Sequence, residues 1–264
     1  MRFSEKAINH ITNWLVNYLE KSKMKGFVVG VSGGVDSALT ATLCARTEKP
    51  VLCLEMNIHQ QQDQVSRAHQ HIAWLEAQHS NVSHHHLNLT PAFEAFQQTF
   101  LKSGEPSERE SLSLANARSR LRMTTLYYYA GIHSYLVAGT GNKIEDFGVG
   151  FFTKYGDGGV DVAPIADLYK SEVYALAAHL GVHSDILEAP PTDGLWDDDR
   201  TDEQQLGVSY DALEWAMKAV AAQQDPEGFS KAEKKAYDTY LRFHRQNQHK
   251  MESIPVCVLP EGLW

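Results

Sequence analysis

The chain has 264 residues, with 24 Lys+Arg against 33 Asp+Glu and a formal net charge of -9. Hydrophobic residues at 43% can fill a sizeable core, and 22% charged residues with 10% aromatics exclude a disordered or low-complexity chain. The acidic balance speaks against a nonspecific nucleic-acid binder, which shows phosphates a basic face, but not against a phosphate ligand in a local basic pocket.

In chain order, the first segment reads as an amphipathic helix capped by Ser4, with Ile8, Ile11, Leu15, Val16 and Leu19 at helical spacing. FVVGVS (27–32) is a short β-branched apolar run, the mark of a buried parallel strand. A helix over 37–47 follows, then a second such strand over 51–56 and a helix over roughly 63–78. HHHLNLT supplies a third strand, PAFEAFQQTFL and LANARSRLRMTTLYYYAG two helices, and residues 135–140 a fourth strand. Strand alternating with helix predicts an α/β chain with a Rossmann-like, doubly wound parallel sheet. After Thr140, GNKIEDFGVGFFTKYGDGGVD is glycine-dense and reads as a long functional loop. DLYKSEVYALAAHLG is a helix with Asp167 as cap and Gly181 as terminator. APPTDGLWDDDRTDEQ reads as an acidic mobile loop, expected to order over the active site when substrate binds. Helices then continue until IPVCVLP, so 1–264 is expected to form one domain with helical C-terminal additions.

Cys44, Cys53 and Cys257 show no CxxC spacing, which argues against a disulfide scaffold, a thiol redox motif or structural zinc. Cys44 reads as a small core hydrophobe. The N-terminus lacks the apolar stretch of a signal peptide, and the longest apolar run, 126–138, is broken by Gly131 and His133. A cytoplasmic protein without membrane contact is the expectation.

SGGVDS (32–37) lies between a strand and a helix. Gly33 and Gly34 let the backbone turn tightly, and amides opening the helix point at an anion with the helix dipole behind them. Ser32 and Ser37 add hydroxyl donors. Asp36 would repel a bare phosphate, so a divalent cation bridging the two is implied. The plainer alternative is a glycine turn joining strand to helix. A Walker A loop would need a Lys after Gly34, and the glycines do not fit GxGxxG. SGGVDS resembles the pyrophosphate loop of the N-type ATP pyrophosphatases, which cleave ATP between its α and β phosphates and adenylate an oxygen.

GTGNKIEDFGVGFFTKYGDGGVDVAPIADLYKSEV, with NARSRLRM, PPTDGLW and the late HK, narrows this: together with SGGVDS it resembles the NAD synthetase family over nearly the whole chain. The resemblance implies that ATP activates the nicotinate carboxylate of deamido-NAD as an acyl-adenylate. Ammonia then forms the amide, releasing NAD, AMP and pyrophosphate. It implies ATP contacts from Gly30, Val31, Ser32, Gly33, Gly34, Val35, Asp36, Ser37, Thr140, Lys170 and Thr192. It places deamido-NAD on Arg120, Lys154, Asp161, His249 and Lys250, and Mg2+ on Asp36 and Glu145. Asp36, Lys154, Asp161 and Lys170 are the implied catalytic set, with Asp161 a candidate base for ammonium. The family form is a homodimer, which the aromatic run Tyr127, Tyr128 and Tyr129 modestly supports. Glutamine-using relatives carry an extra N-terminal nitrilase-like domain; here the loop starts at Ser32, so ammonia dependence is expected.

Each assignment has a plainer reading. Lys170 near a helix start is commonly a solvated lysine, and Arg118, Arg120 and Arg122 read as a solvated basic face. Asp161 could cap a turn. Lys154, embedded in a Gly/aromatic loop unsuited to packing, stands better alone. GNKIEDFGVGFF carries one residue more than the shorter family form, leaving Glu145 and Asp146 as metal ligands, with Glu145 favoured by counting from Thr140. His84, His85 and His86 alternate across a strand and do not converge on an ion. The rivals are another ATP pyrophosphatase amidating a different substrate, as in GMP synthesis, and a non-catalytic nucleotide-binding module.

Overall fold

A computed structural model describes residues 2–100, 106–192 and 201–263. The helices are α1 (Arg2–Ser22), α2 (Val35–Ala45), α3 (Gln62–Gln78), α4 (Thr90–Phe100), α5 (Glu108–His133), α6 (Lys170–His179), α7 (Ser184–Leu187), α8 (Asp202–Leu206), α9 (Tyr210–Ala221) and α10 (Lys231–Met251). Strands β1 (Phe27–Gly30), β2 (Val51–Asn57), β3 (Val82–Asn88) and β4 (Leu136–Ala138) form one parallel sheet in the order β3-β2-β1-β4. Val28 pairs with Leu52 on one side and Val137 on the other.

The central strands are continuously apolar because both faces are covered. Phe27, Val29, Val51 and Cys53 pack with α1, α2, α3 and α6, whereas Val28, Leu52, Leu54 and Val137 pack with Ala130 and Leu126 of α5. Burial of Leu39 is complete, so Leu39→Ala costs about 2–5 kcal/mol. From β1 the chain winds outward to β2 and β3, then returns to place β4 on β1's other side. The crevice beyond the carboxyl ends of β1 and β4 is thus a topological switch point, where open α/β sheets bind ligands.

A separate core joins α8, α9 and α10 to a π-helical turn, Lys143–Val149, inside the glycine-dense segment. Ile144 and Val149 of that turn are fully buried, which anchors it at both ends and fixes where Glu145 stands.

Several boundaries differ from expectation. α1 already includes Arg2, so Ser4 lies within the helix and not ahead of it. α5 begins upstream of LANARSR because Ser107 and Glu110 form a reciprocal capping box. β3 begins at Val82, ahead of the histidines. Asp167 does not cap α6, which starts at Lys170; its carboxylate instead accepts from Lys143 Nζ at 2.7 Å. Gly181, at φ +80°, does end that helix. Residues 193–200, half of the acidic loop, lie outside the described residues, and Thr201 just after them caps α8.

The buried Cys44 is a core residue as expected, its thiol held well above the ordinary value by burial. Burial likewise pushes the Cys53 thiol up to about 12. His84 and His86 pair with Glu76 and Glu55, while His85 on the other face lies near Tyr129. Among the described residues no three His, Cys, Asp or Glu side chains converge to hold an ion unaided, and no helix is long and apolar enough to cross a membrane.

Candidate active site

β1 leads into the glycine loop with Val31 N donating to Leu54 O at 2.9 Å. Gly33 sits at φ +83°, and a Cβ there would lie 2.5 Å from Gln64 O of α3, so the position demands glycine on both counts. Ser37 Oγ donates to Gly34 O at 3.0 Å and accepts from Ser32 N at 3.1 Å, while Gly34 N donates to Ser32 Oγ at 3.3 Å. These bonds lock the loop at the start of α2, whose positive end faces the crevice.

Above the loop is a cleft of about 1310 Å³, open mouth included, lined by Gly30, Val31, Ser32, Gly34, Asp36 and Ser37 from the loop. Thr140, Glu145, Lys170 and Thr192 also line it. Every residue expected around ATP, except Gly33 and Val35, therefore faces one cavity. Val35 is buried in the core, and Gly33 faces a smaller recess beside the loop.

The centre of the cleft is an ion cluster. Lys170 Nζ lies 2.6 Å from Asp36 Oδ2 and 3.0 Å from Glu145 Oε1, with only 5% of its side chain exposed. Burial opposes the Lys170 charge, but the two carboxylates outweigh it and hold its proton more tightly than usual. Burial pushes the Glu145 carboxyl up, Lys170 pulling the other way. One ammonium between two carboxylates leaves a net negative charge in a site of reduced dielectric.

Asn142 organises this centre. Its Nδ2 donates to Asp36 Oδ1 at 3.0 Å, and its Oδ1 accepts from Ile144 N and Glu145 N, capping the π-helical turn. Tyr210 donates to Glu145 Oε1 at 2.6 Å, lies 3.2 Å from Asp202 Oδ2, and holds its ring 4.7 Å from Lys170 Nζ. Sequence reasoning missed these three. Asn142 carried a signal, since an Asn just ahead of a helical turn is a cap; Tyr210 and Asp202 read only as parts of ordinary capped helices.

The neighbouring Asp146 turns toward Gly141, where a Cβ would run into its carboxylate. Its carboxyl is raised well above the usual range by burial and then by Glu145, and it makes no ion pair among the described residues.

The expected dinucleotide residues are not themselves among those lining the cleft, although their chain neighbours Ser119, Phe151, Gly156 and Val160 are. Arg120 donates to Lys154 O, Lys154 Nζ to His249 O at 2.7 Å, and Lys250 Nζ to Phe152 O at 2.7 Å, so these four form a second group. Asp161 stands apart: its oxygens accept from Tyr127 OH at 3.0 Å and Val137 N at 2.8 Å.

The arrangement can seat a polyphosphate on the loop, next to a cation and two carboxylates. The family model described as NAD synthase matches residues 7–254. The NH(3)-dependent NAD(+) synthetase of Carboxydothermus hydrogenoformans is 37% identical over 257 residues, 97% of this chain and 98% of that protein. The solved NMN synthetase of Francisella tularensis superposes with a TM-score of 0.81 at 30% identity, covering 98% of both chains. The NH3-dependent NAD synthetase of Campylobacter jejuni, in complex with nitrate, gives 0.76 at 27% identity over 97% and 99%. With the glycine loop, the buried lysine and likeness over nearly its full length all in agreement, the chain belongs to the NAD synthase family, whose members are ligases.

Proposed function

We propose that the chain, acting as a single domain and assembled as a homodimer, amidates the nicotinate carboxylate of deamido-NAD with ammonia at the expense of ATP. The observation that carries this reading is the convergence of Asp36, Lys170 and Glu145 on the phosphate loop. The loop amides and the Ser32 and Ser37 hydroxyls hold the β and γ phosphates. A nicotinate carboxylate oxygen attacks the α-phosphorus, the bond to the bridging oxygen breaks, and pyrophosphate leaves. Ammonia then attacks the acyl carbon, the C–N bond forms, AMP departs, and one proton passes to solvent or a base. Lys170, fixed between carboxylates, supplies positive charge as like charges approach in the cleft. Tyr127 and Val137 N engage both oxygens of Asp161, which suits a positioning role better than that of base for ammonium. Exposed Tyr128 and Ile132 on α5 support the homodimer.

The donor set fits Mg2+: Asp36 and Glu145 offer oxygen ligands in a site with excess negative charge, and ATP phosphates would complete the shell. When bound, the ion neutralises phosphate charge as pyrophosphate departs.

A second reading keeps the chemistry and shortens the acceptor to nicotinate mononucleotide. The likeness to the Francisella tularensis NMN synthetase favours it. One experiment tests both: ATP, Mg2+ and ammonium are supplied with either the dinucleotide or the mononucleotide acid. Equimolar NAD and AMP from the dinucleotide support the first reading, and a higher kcat/KM for the mononucleotide replaces it with the second. ADP in place of AMP, or no amide from either acid, overturns both.

A further inference from the structure

Beside the phosphate loop, on its α3 side, lies a shallow recess open to solvent. Ser32, Gly34, Gln60, Gln64 and Thr192 line both this recess and the main cleft, so the two are continuous. Gly33 and Arg67 are what the recess adds. The sequence reading did not single out Arg67, and nothing in the expected site includes it.

Arg67 projects from the second turn of α3, its side chain 18% exposed. Its Nε donates to Gly33 O at 3.4 Å and its Nη1 to Asp63 Oδ2 at 2.8 Å. Those contacts use two of the five N–H donors of a guanidinium. Asp63 itself is mostly in solvent, 61% exposed, so the pair is a weak surface one that a better anion can replace. The close approach of α3 to Gly33, where no Cβ fits, fixes the guanidinium relative to the loop. The first turn of α3 brings the positive end of its dipole to the same place.

A recess that continues the ATP cleft past the glycine loop, walled by a guanidinium and a helix N-terminus, is complementary to a phosphate chain. Arginine's planar fork matches two phosphate oxygens at once, which lysine cannot do. We propose that Arg67 binds the terminal phosphoryl group of ATP and then holds the departing pyrophosphate, exchanging the Asp63 carboxylate for phosphate oxygens. This inference rests on the ATP reading above and deepens it. Arg67 stabilises the leaving group, at the opposite end of the triphosphate from the oxygen that attacks.

Calorimetric titration with inorganic pyrophosphate and, separately, with AMP, both with Mg2+, tests this. Arg67→Ala weakens pyrophosphate binding about tenfold and leaves AMP unchanged; Arg67→Lys falls between, because the charge stays and the fork is lost. Asp63→Asn tightens pyrophosphate binding by freeing the guanidinium, and the gain shrinks when Arg67→Ala is already present, as it would not if Asp63 acted through its own charge alone. Equal weakening of AMP and pyrophosphate by Arg67→Ala assigns Arg67 to bracing the loop and overturns the inference. So does unchanged pyrophosphate binding. A wild-type protein that forms no AMP and pyrophosphate sinks the ATP reading itself, a distinct failure.

Discussion

The Tyr210 hydroxyl lies 2.6 Å from Glu145 Oε1, and its ring lies 4.7 Å from the Lys170 ammonium. One aromatic side chain therefore touches both ends of a buried ion pair whose own members come from the π-helical turn and α6. A hydrogen bond to a charged group contributes about 1.5–3 kcal/mol, enough to decide which way a carboxylate points. Tyr210→Phe keeps the ring and removes that bond. Lowered kcat, by about tenfold to a hundredfold, and a higher Mg2+ concentration for half-maximal rate are expected. A Mg2+ titration of the steady-state rate, with the far-UV melt as control, measures both. Wild-type kcat and Mg2+ dependence in the variant would show that Tyr210 only fills space.

Lys170 neutralises carboxylates that are themselves largely buried, 18% and 17% exposed. Removing one partner of such a cluster costs about 3–5 kcal/mol, because the remaining charges stay out of water. Lys170→Met should lower the urea midpoint accordingly and abolish amidation. Mg2+ alone, without ATP, should then recover part of the lost stability by entering between Asp36 and Glu145. The wild type should respond weakly, since its ammonium holds that place. Urea curves with and without Mg2+ at constant ionic strength decide the matter; equal stabilisation of both proteins would refute it.

What could be read without coordinates follows from how local each signal is. β1 and the loop were legible because a buried parallel strand, two glycines and a capping-position helix start lie within a dozen residues. Asp36 and Lys170 are 134 residues apart. No periodicity links them, and only the family resemblance brought them together. Asp167 was misread as a helix cap because its local propensity lost to a tertiary partner, Lys143. The capping box of Ser107 and Glu110 was present in the sequence but unread, which cost the first turns of α5. Tyr210 was illegible: a tyrosine after the Ser209 cap looks like any core aromatic, and its role exists only through Glu145, 65 residues away.

KIEDFGV within GNKIEDFGVGFF forms the π-helical turn, and Gly150 N donates to Glu145 O five residues back. An α turn would close over one residue fewer. Phe147 is 50% exposed, whereas Ile144 and Val149 are fully buried. Deleting Phe147 should therefore convert the turn to α-helix while Glu145, which precedes the deletion, keeps its contact with Lys170. The melting temperature should change by no more than about 4 °C, the effect of about 1 kcal/mol in a chain of this size, and amidation should persist. Loss of the folded state would mean that the π geometry is itself required.

His71 of α3 offers a test of stability against pH away from the site. It is 1% exposed, its Nε2 donates to Ala38 O at 3.1 Å, and its ring stacks on Trp74 at 5.4 Å. Among the described residues its Nδ1 is buried without a hydrogen-bond partner. Burial lowers its pKa to about 4, against a smaller opposite pull from the Ala38 carbonyl. Below the unfolded value of about 6.5 the unfolded chain takes up a proton that the native imidazole refuses, so stability falls with falling pH and levels off only near about 4. The full effect is about 3 kcal/mol. His71→Phe keeps a ring against Trp74 and cannot titrate, and Thr42 Oγ1 still donates to Ala38 O at 2.7 Å. Urea unfolding of both proteins from about pH 7 to about pH 4.5 should show the variant gaining on the wild type as acid is added. Parallel curves would show that the fold admits a charged His71.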